Sequence, residues 1–189
     1  MRPIVLRTSA APVYRFLSLI TARDSQDSTA PRGKILDCGA GGAFPPLTLF
    51  AQQGFEGWGI DTSEQQLDKA RGFCSREGIG LHLSRSDMRH IPFATETFDY
   101  VYEHYAMCHL SKRDTGVAVR EMYRVLKRGG LCFLGVISTD TWPTSLFGEM
   151  RAPGEYCGEE DGALTLHSVF TDREAEALVS AWEIVFKEK

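Results

Sequence analysis

A chain of 189 residues, 43% hydrophobic and 24% charged, has the size of one ordinary globular domain, and folding removes roughly 70% of such a chain's surface from water without help from disulfides or a structural metal. Its 25 acidic residues outnumber 21 basic ones, for a net charge of −4, which excludes the positive footprint of a nonspecific nucleic-acid binder. The longest apolar run, Leu131 to Ile137, is far short of the ~20 residues of a membrane span, and Arg7 interrupts Ile4, Val5 and Leu6 before a signal-peptide core forms.

Val13, Phe16, Leu17 and Ile20 recur at helical spacing and predict a leading helix, set off by the polar, turn-rich stretch Asp24 to Gly33. From Lys34 onward short apolar runs alternate with helix-period stretches, and KILDC, GWGID, LHLS, FDYVY, LCFLGVI and EIVF are predicted strands. This alternation predicts an α/β fold, a doubly wound, mostly parallel sheet with helices on both faces. After the first strand, Pro45 and Pro46 suit a helix's first turn, and Leu47, Phe50 and Ala51 continue it to Gly54. The next helix opens near Thr62 and Ser63 with Leu67, Ala70 and Cys74 on one face. A later one runs through Ala118, Met122, Val125 and Leu126 and is predicted to end in Lys127, Arg128, Gly129 and Gly130, basic charge on the dipole's negative end and glycine at the cap. Thr171 and Glu174 form a capping box ahead of Ala175, Leu178, Val179 and Trp182.

The five cysteines, Cys38, Cys74, Cys108, Cys132 and Cys157, are odd in number and form no C-x-x-C pair. That argues against a disulfide framework or zinc ribbon and for a reducing, cytoplasmic compartment. The stretch LDCGAGGAF, Leu36 to Phe44, follows a predicted strand and opens a predicted helix, where open α/β sheets bind ligands. As a dinucleotide loop it fails, because Phe44 stands where G-x-G-x-x-G needs its third glycine. Asp37, two residues before Gly39, would oppose a pyrophosphate but favours a ligand bearing an ammonium and a sulfonium, as S-adenosylmethionine does. Asp61 closes the second strand, where an acidic side chain accepts ribose hydroxyls, and Asp87 and Met88 follow the third, a carboxylate for an adenine amine and a thioether for its ring face.

Together these segments, from about Lys34 to Ile137, resemble the class I S-adenosylmethionine-dependent methyltransferases: LDCGAGG the glycine loop, GIDTS the ribose segment, SDMRHIPFATETFDYVY the adenine segment and fourth strand, and REMYRVLKRGGLCFLGV the last helix and fifth strand. The resemblance implies one Rossmann-like domain over 1–189, with a leading helix in 1–23, a cofactor-binding core in 34–137, an acceptor-side cap in 138–168, and a last helix and strand in 171–189. It implies S-adenosylmethionine as cofactor, with S-adenosylhomocysteine as product, held by Asp37, Gly39, Ala40, Gly41, Phe44, Asp61, Thr62, Asp87, Met88 and Glu103. Two departures stand out: Ala43 replaces the family's usual third glycine, and the chain stops just after EIVF, which reads as strand six and leaves the antiparallel seventh missing.

Taken singly, Asp37 and Asp61 also read as helix caps, Met88 as core, and Cys38 as a small buried residue on the sheet's other face. In YEHYAMCHL, after the fourth strand, His109 and His104 are the candidate catalytic bases, with Glu103 beside them. His104 and Cys108 have helical spacing but no further ligand nearby, so no metal site is expected. The N/D-P-P-Y/F signature of amino-group methylases of DNA and glutamine is replaced by EHYA, which leaves a small molecule or a compact group on a protein, and a small-molecule acceptor, without nucleic acid or membrane, is the expected partner. Ser138 to His167, with Trp142, Pro143, Phe147, Met150, Tyr156, Glu159 and Glu160, is expected to be an irregular cap over that acceptor. The rival reading is a non-catalytic binding subunit with the same fold.

Overall fold

The computed structural model describes residues 11–24, 32–140, 147–160 and 162–188. Its first layer is α1 (Ala11–Asp24), which buries Val13, Phe16 and Ile20 as the spacing predicts. The parallel sheet then builds from β1 (Lys34–Cys38), β2 (Glu56–Asp61), β3 (His82–Arg85), β4 (Phe98–Tyr102) and β5 (Leu126–Phe133), in the order β3-β2-β1-β4-β5. Chain order reverses between β1 and β4, which opens a crevice at the carboxyl ends of these strands. The connecting helices are α2 (Leu47–Gln52), α3 (Glu64–Glu77) and α4 (Lys112–Val125).

Both faces are covered. Ile35, Tyr100 and Tyr102 pack with Phe16 of α1 and Phe50 of α2, while Leu36, Cys38 and Val101 pack with Ala118, Met122 and Val125 of α4. Cys38 is therefore a buried apolar residue on the face opposite Asp37. The first face is rich in aromatic rings: the Phe50 and Tyr102 centroids lie 5.0 Å apart, and Phe16 meets Phe50 at 6.1 Å. Each such pair adds about 1 kcal/mol beyond its area burial.

Local signals set the helix ends. Ser63 caps α3 by accepting from Gln66 N, and Gly78, at φ 66°, closes it. Ser111 caps α4 through Asp114 N, and the capping box of Thr171 and Glu174 opens α5 (Asp172–Leu178). Thr171 accepts from Glu174 N, and Glu174 Oε2 accepts from Thr171 N at 2.9 Å.

Three sequence expectations need correction. First, α4 ends at Val125, and Lys127 to Gly130 bulge from β5 between Leu126, paired with Phe98, and Leu131, paired with Tyr100. Lys127 and Arg128 meet Asp99 and Glu96 at 2.7 and 3.0 Å instead of a helix end, and Arg23 of α1 donates to Gly129 O. Second, LCFLGVI breaks after Phe133, and only its last residue, Ile137, pairs again, in the two-residue β6 (Ile137–Ser138). Third, EIVF is not a strand: Ile184, Val185 and Phe186 are exposed and lie outside both sheets. An apolar run pairs only where a neighbouring strand offers matching N–H and C=O groups.

One further expectation fails: the segment Ser138 to His167, expected to be an irregular cap, is regular over most of its described residues. β7 (Glu149–Ala152), β8 (Glu155–Glu160) and β9 (Ala163–Phe170) form an antiparallel meander that joins β6 through β9. Gly154 and Gly162 sit at its two turns with φ of 76° and 79°, a conformation glycine adopts at no steric cost. Trp142 and Pro143 lie outside the described residues.

Candidate active site

The glycine loop sits between β1 and α2, at the switch in chain order. The four amides from Gly39 to Gly42 are already committed. Gly39 N and Ala40 N both donate to Ile60 O, Gly41 N to Asp61 Oδ2 at 3.0 Å, and Gly42 N to Gln66 O. Pro45 and Pro46 bring no N–H to the mouth of α2. A pyrophosphate needs a row of free amides there, so the geometry supports the electrostatic case against a dinucleotide.

Close approach explains the glycines. A Cβ on Gly39, at φ 126°, would collide with Ala106 Cβ, and one on Gly41 would lie 2.6 Å from Asp61 Oδ2. Ala40 is buried against Gly59, so it shapes the loop from behind and faces protein. Phe44 is 77% exposed and leans edge-on against Phe73 of α3, at 5.5 Å.

Register places Asp37 opposite Tyr102 of β4 and Gly59 of β2. Asp37 is 1% exposed and accepts a short bond, 2.5 Å, from the Tyr102 hydroxyl. Burial raises its pKa to about 7; the Tyr102 bond opposes that rise and the Asp61 charge adds to it. Glu103, fully buried one residue beyond β4, is pushed up to about 8 by the same desolvation, against hydrogen bonds from Met107, Ala106 and Gly135 and with a contribution from Asp37. The charges acting on this pair are other carboxylates. A ligand carrying positive charge would relieve both.

Glu103 also has an architectural task that its sequence position did not reveal. Its Oε1 accepts from Ala106 N at 2.5 Å and Met107 N at 3.1 Å, and Oε2 from Gly135 N at 3.4 Å. These bonds hold the loop after β4, in which Tyr105 takes φ 63° and Ala106 packs on Gly39. His104 is partly buried in that loop with its ring 4.8 Å from that of Tyr105. His109 ends the short 3-10 turn Met107–His109, is exposed, and has Nδ1 3.2 Å from Leu166 O of β9.

Asp61 closes β2 with both oxygens engaged, accepting from Gly41 N and, at 2.8 Å, Ser63 N. It ties the glycine loop to the start of α3, and each oxygen keeps a lone pair for a ribose hydroxyl. Thr62 is exposed beside it, and its carbonyl accepts from Arg85. Asp87 is more fully occupied: Arg89 donates to both its oxygens, at 2.6 to 3.0 Å, and bridges on to Asp114. The Arg89 hydrogen bonds hold the Asp87 pKa below its usual value. Met88 packs half-buried against the core cluster that Leu36, Phe98 and Val101 share with α4.

Elsewhere, a cavity of ≈ 740 Å³ between α4 and α5, lined by Val119, Tyr123, Leu178 and Trp182 among others, includes none of these residues. Among the described residues no cluster of His, Cys, Asp and Glu has the form of a metal site, and no helix is long and apolar enough to cross a membrane.

Comparison with known proteins identifies the family and the fold. Methyltransferase GfsG of Streptomyces halstedii is 35% identical over 99 residues, which cover 51% of this chain and 35% of that protein. The chloroplastic 2-methyl-6-phytyl-1,4-hydroquinone methyltransferase 1 of Oryza sativa subsp. japonica is 30% identical over 155 residues, covering 72% of this chain and 46% of that one. The match thus spans less than half the length of these curated relatives. Among solved structures, a SAM-dependent methyltransferase from Methanosarcina mazei gives a TM-score of 0.70 at 17% identity over 84% of this chain and 82% of that one. DesVI of Streptomyces venezuelae gives 0.65 at 20% identity over 92% and 82%. At such identities the likeness establishes the α/β fold. Residues 35–130, which hold the glycine loop and the strand-end carboxylates, match the family described as a methyltransferase domain, and the chain belongs to that family.

Proposed function

We propose that this domain binds S-adenosylmethionine over the carboxyl ends of β1, β2 and β4 and passes its methyl group to a small-molecule acceptor. The observation that carries the reading is the buried acidic pair Asp37 and Glu103 beside a glycine loop whose amides are already satisfied. That site suits a cation and offers little to a phosphate. Hydroquinone and sterol methyltransferases among the similar proteins support a small acceptor.

When bound, the cofactor supplies an electrophilic methyl on a sulfonium. Asp37 attracts the ammonium of its amino-acid part, and Asp61 accepts the ribose hydroxyls with the lone pairs left over from Gly41 and Ser63. Gly39, Ala40 and Gly41 let the main chain approach closely. Met88 offers its thioether to the adenine face, whereas Asp87 reaches the adenine amine only when Arg89 turns aside. Glu103 holds the loop that carries His104 and His109, and with it the distance between cofactor and acceptor. Alignment of two reactants with water excluded is worth ~7–11 kcal/mol of barrier.

Differential scanning fluorimetry tests the cofactor assignment. S-adenosylhomocysteine at about 100 times its dissociation constant stabilises the fold by ~2.7 kcal/mol, roughly 5 to 10 °C for a chain of this length. NAD gives no shift. Stabilisation by NAD without any by S-adenosylhomocysteine would overturn the reading.

A further inference from the structure

The meander lays a second histidine beside His109. His167, on β9 opposite Tyr156, is 5% exposed, and its Nε2 lies 3.3 Å from Glu160 Oε1. Phe147 stacks on its ring at 4.8 Å and His109 meets it edge-on at 5.0 Å. Its Nδ1 is buried and has no hydrogen-bond partner among the described residues. A buried polar atom without a partner is rare and costly, and it marks either strain or a group that receives its partner from outside.

The arrangement fixes what Nδ1 can do. With its proton on Nε2, which lies 3.3 Å from the Glu160 carboxylate, the neutral imidazole leaves a lone pair on Nδ1. Burial lowers the His167 pKa; Glu160 on β8 raises it and His109 lowers it. The ring is therefore neutral, and able to take a proton, at neutral pH. His109 belongs to the turn after β4, three residues beyond Ala106, which packs on Gly39. The dyad thus stands at the glycine-loop end of the sheet, among the rings of Phe147, His109 and Tyr156.

We propose that His167, oriented by Glu160, is the proton acceptor for an aromatic hydroxyl compound that receives the methyl group. The inference rests on the methyl-transfer reading above and gives it a substrate class. A carboxylate or thiolate nucleophile needs no base, whereas a phenol is protonated at neutral pH, and the surrounding rings suit an aromatic acceptor. As the phenol oxygen bonds to the methyl carbon, its O–H bond breaks and the proton passes to Nδ1. The electron pair of the broken carbon–sulfur bond stays on sulfur, which leaves as a neutral thioether.

Catechol serves as the acceptor probe, with nitrogen-15 spectra of the histidine side chains and product analysis on the same full chain. In the parent saturated with S-adenosylhomocysteine, catechol is expected to shift the His167 Nδ1 signal in the direction of an accepted hydrogen bond. With S-adenosylmethionine, His167→Gln lowers methylation of catechol about a hundredfold and leaves S-adenosylhomocysteine affinity within about twofold. Glu160→Gln, at a half-exposed side chain that does not threaten folding, moves the acidic limb of the rate profile to lower pH, because the carboxylate that raises His167 is gone. An unresponsive Nδ1 signal, a parent that binds catechol without methylating it, or a His167→Gln variant as fast as the parent overturns the proposal. Failure of the parent to bind S-adenosylhomocysteine is a different result: it overturns the methyltransferase reading itself.

Discussion

Asp37→Asn is expected to weaken S-adenosylhomocysteine binding by ~1.5–3 kcal/mol, the worth of a charged hydrogen bond, and to raise the melting temperature at pH 8. The two effects share one cause. Asp37 is buried, and its pKa stands at about 7 against an ordinary 3.8. Between those values the folded chain holds a proton that the unfolded chain releases, so the stability this group contributes is complete below about 3.8 and is lost as pH rises to about 7. At pH 8 the carboxylate is charged, buried and costly. Asparagine removes that cost and still accepts from Tyr102, but it no longer draws an ammonium. Calorimetric titration and a melting curve on the same variant check both effects. A variant that binds as tightly as the parent would show that Asp37 serves the fold alone.

Gly39→Ala is expected to be the most damaging single methyl addition in the loop. At φ 126° an alanine is strained, and its Cβ would also collide with Ala106 of the loop that Glu103 holds. Strain of this kind costs ~1–3 kcal/mol, so the melting temperature falls by roughly 5 °C or more. Gly42→Ala is the control, because Gly42 has φ 109° but nothing within 4 Å of an added Cβ. It carries the strain without the collision. If both variants melt together and bind S-adenosylhomocysteine alike, contact between the two loops does not shape the site.

Much of this architecture is legible in short segments. KILDC and FDYVY are β1 and β4 to the residue, and Leu67, Ala70 and Cys74 are the buried stripe of α3. These are places where local propensity and tertiary environment agree. Lys127 to Gly130 depart from a helix end because, although basic residues followed by glycines satisfy one locally, Asp99 and Glu96, 28 and 32 residues earlier, hold the two cations in a bulge. EIVF has strand composition, but strand pairing depends on a neighbour that composition does not supply. The meander does have a signal in the sequence: Pro153-Gly154 and Asp161-Gly162 are turn pairs that mark hairpins.

The site divides in the same way. Asp37, Gly39, Gly41 and Asp61 stand at strand ends because chain order puts them there, and one loop motif was enough to find them. What each carboxylate holds was not legible. Arg89 occupies Asp87 from two residues away, and Glu103 spends its oxygens on main-chain N–H groups. His167 was missed because its importance comes from an orphaned nitrogen and from Glu160 seven residues earlier in chain, both products of the hairpin.

The most direct test of the acidic cofactor cradle is calorimetric titration of the parent chain with S-adenosylhomocysteine at pH 8 and pH 6. An Asp37 pKa of about 7 predicts one binding site with affinity about tenfold weaker at pH 6, because most of the carboxylate is then protonated and no longer attracts the ammonium. Absence of binding at pH 8, or an affinity unchanged at pH 6, would contradict it.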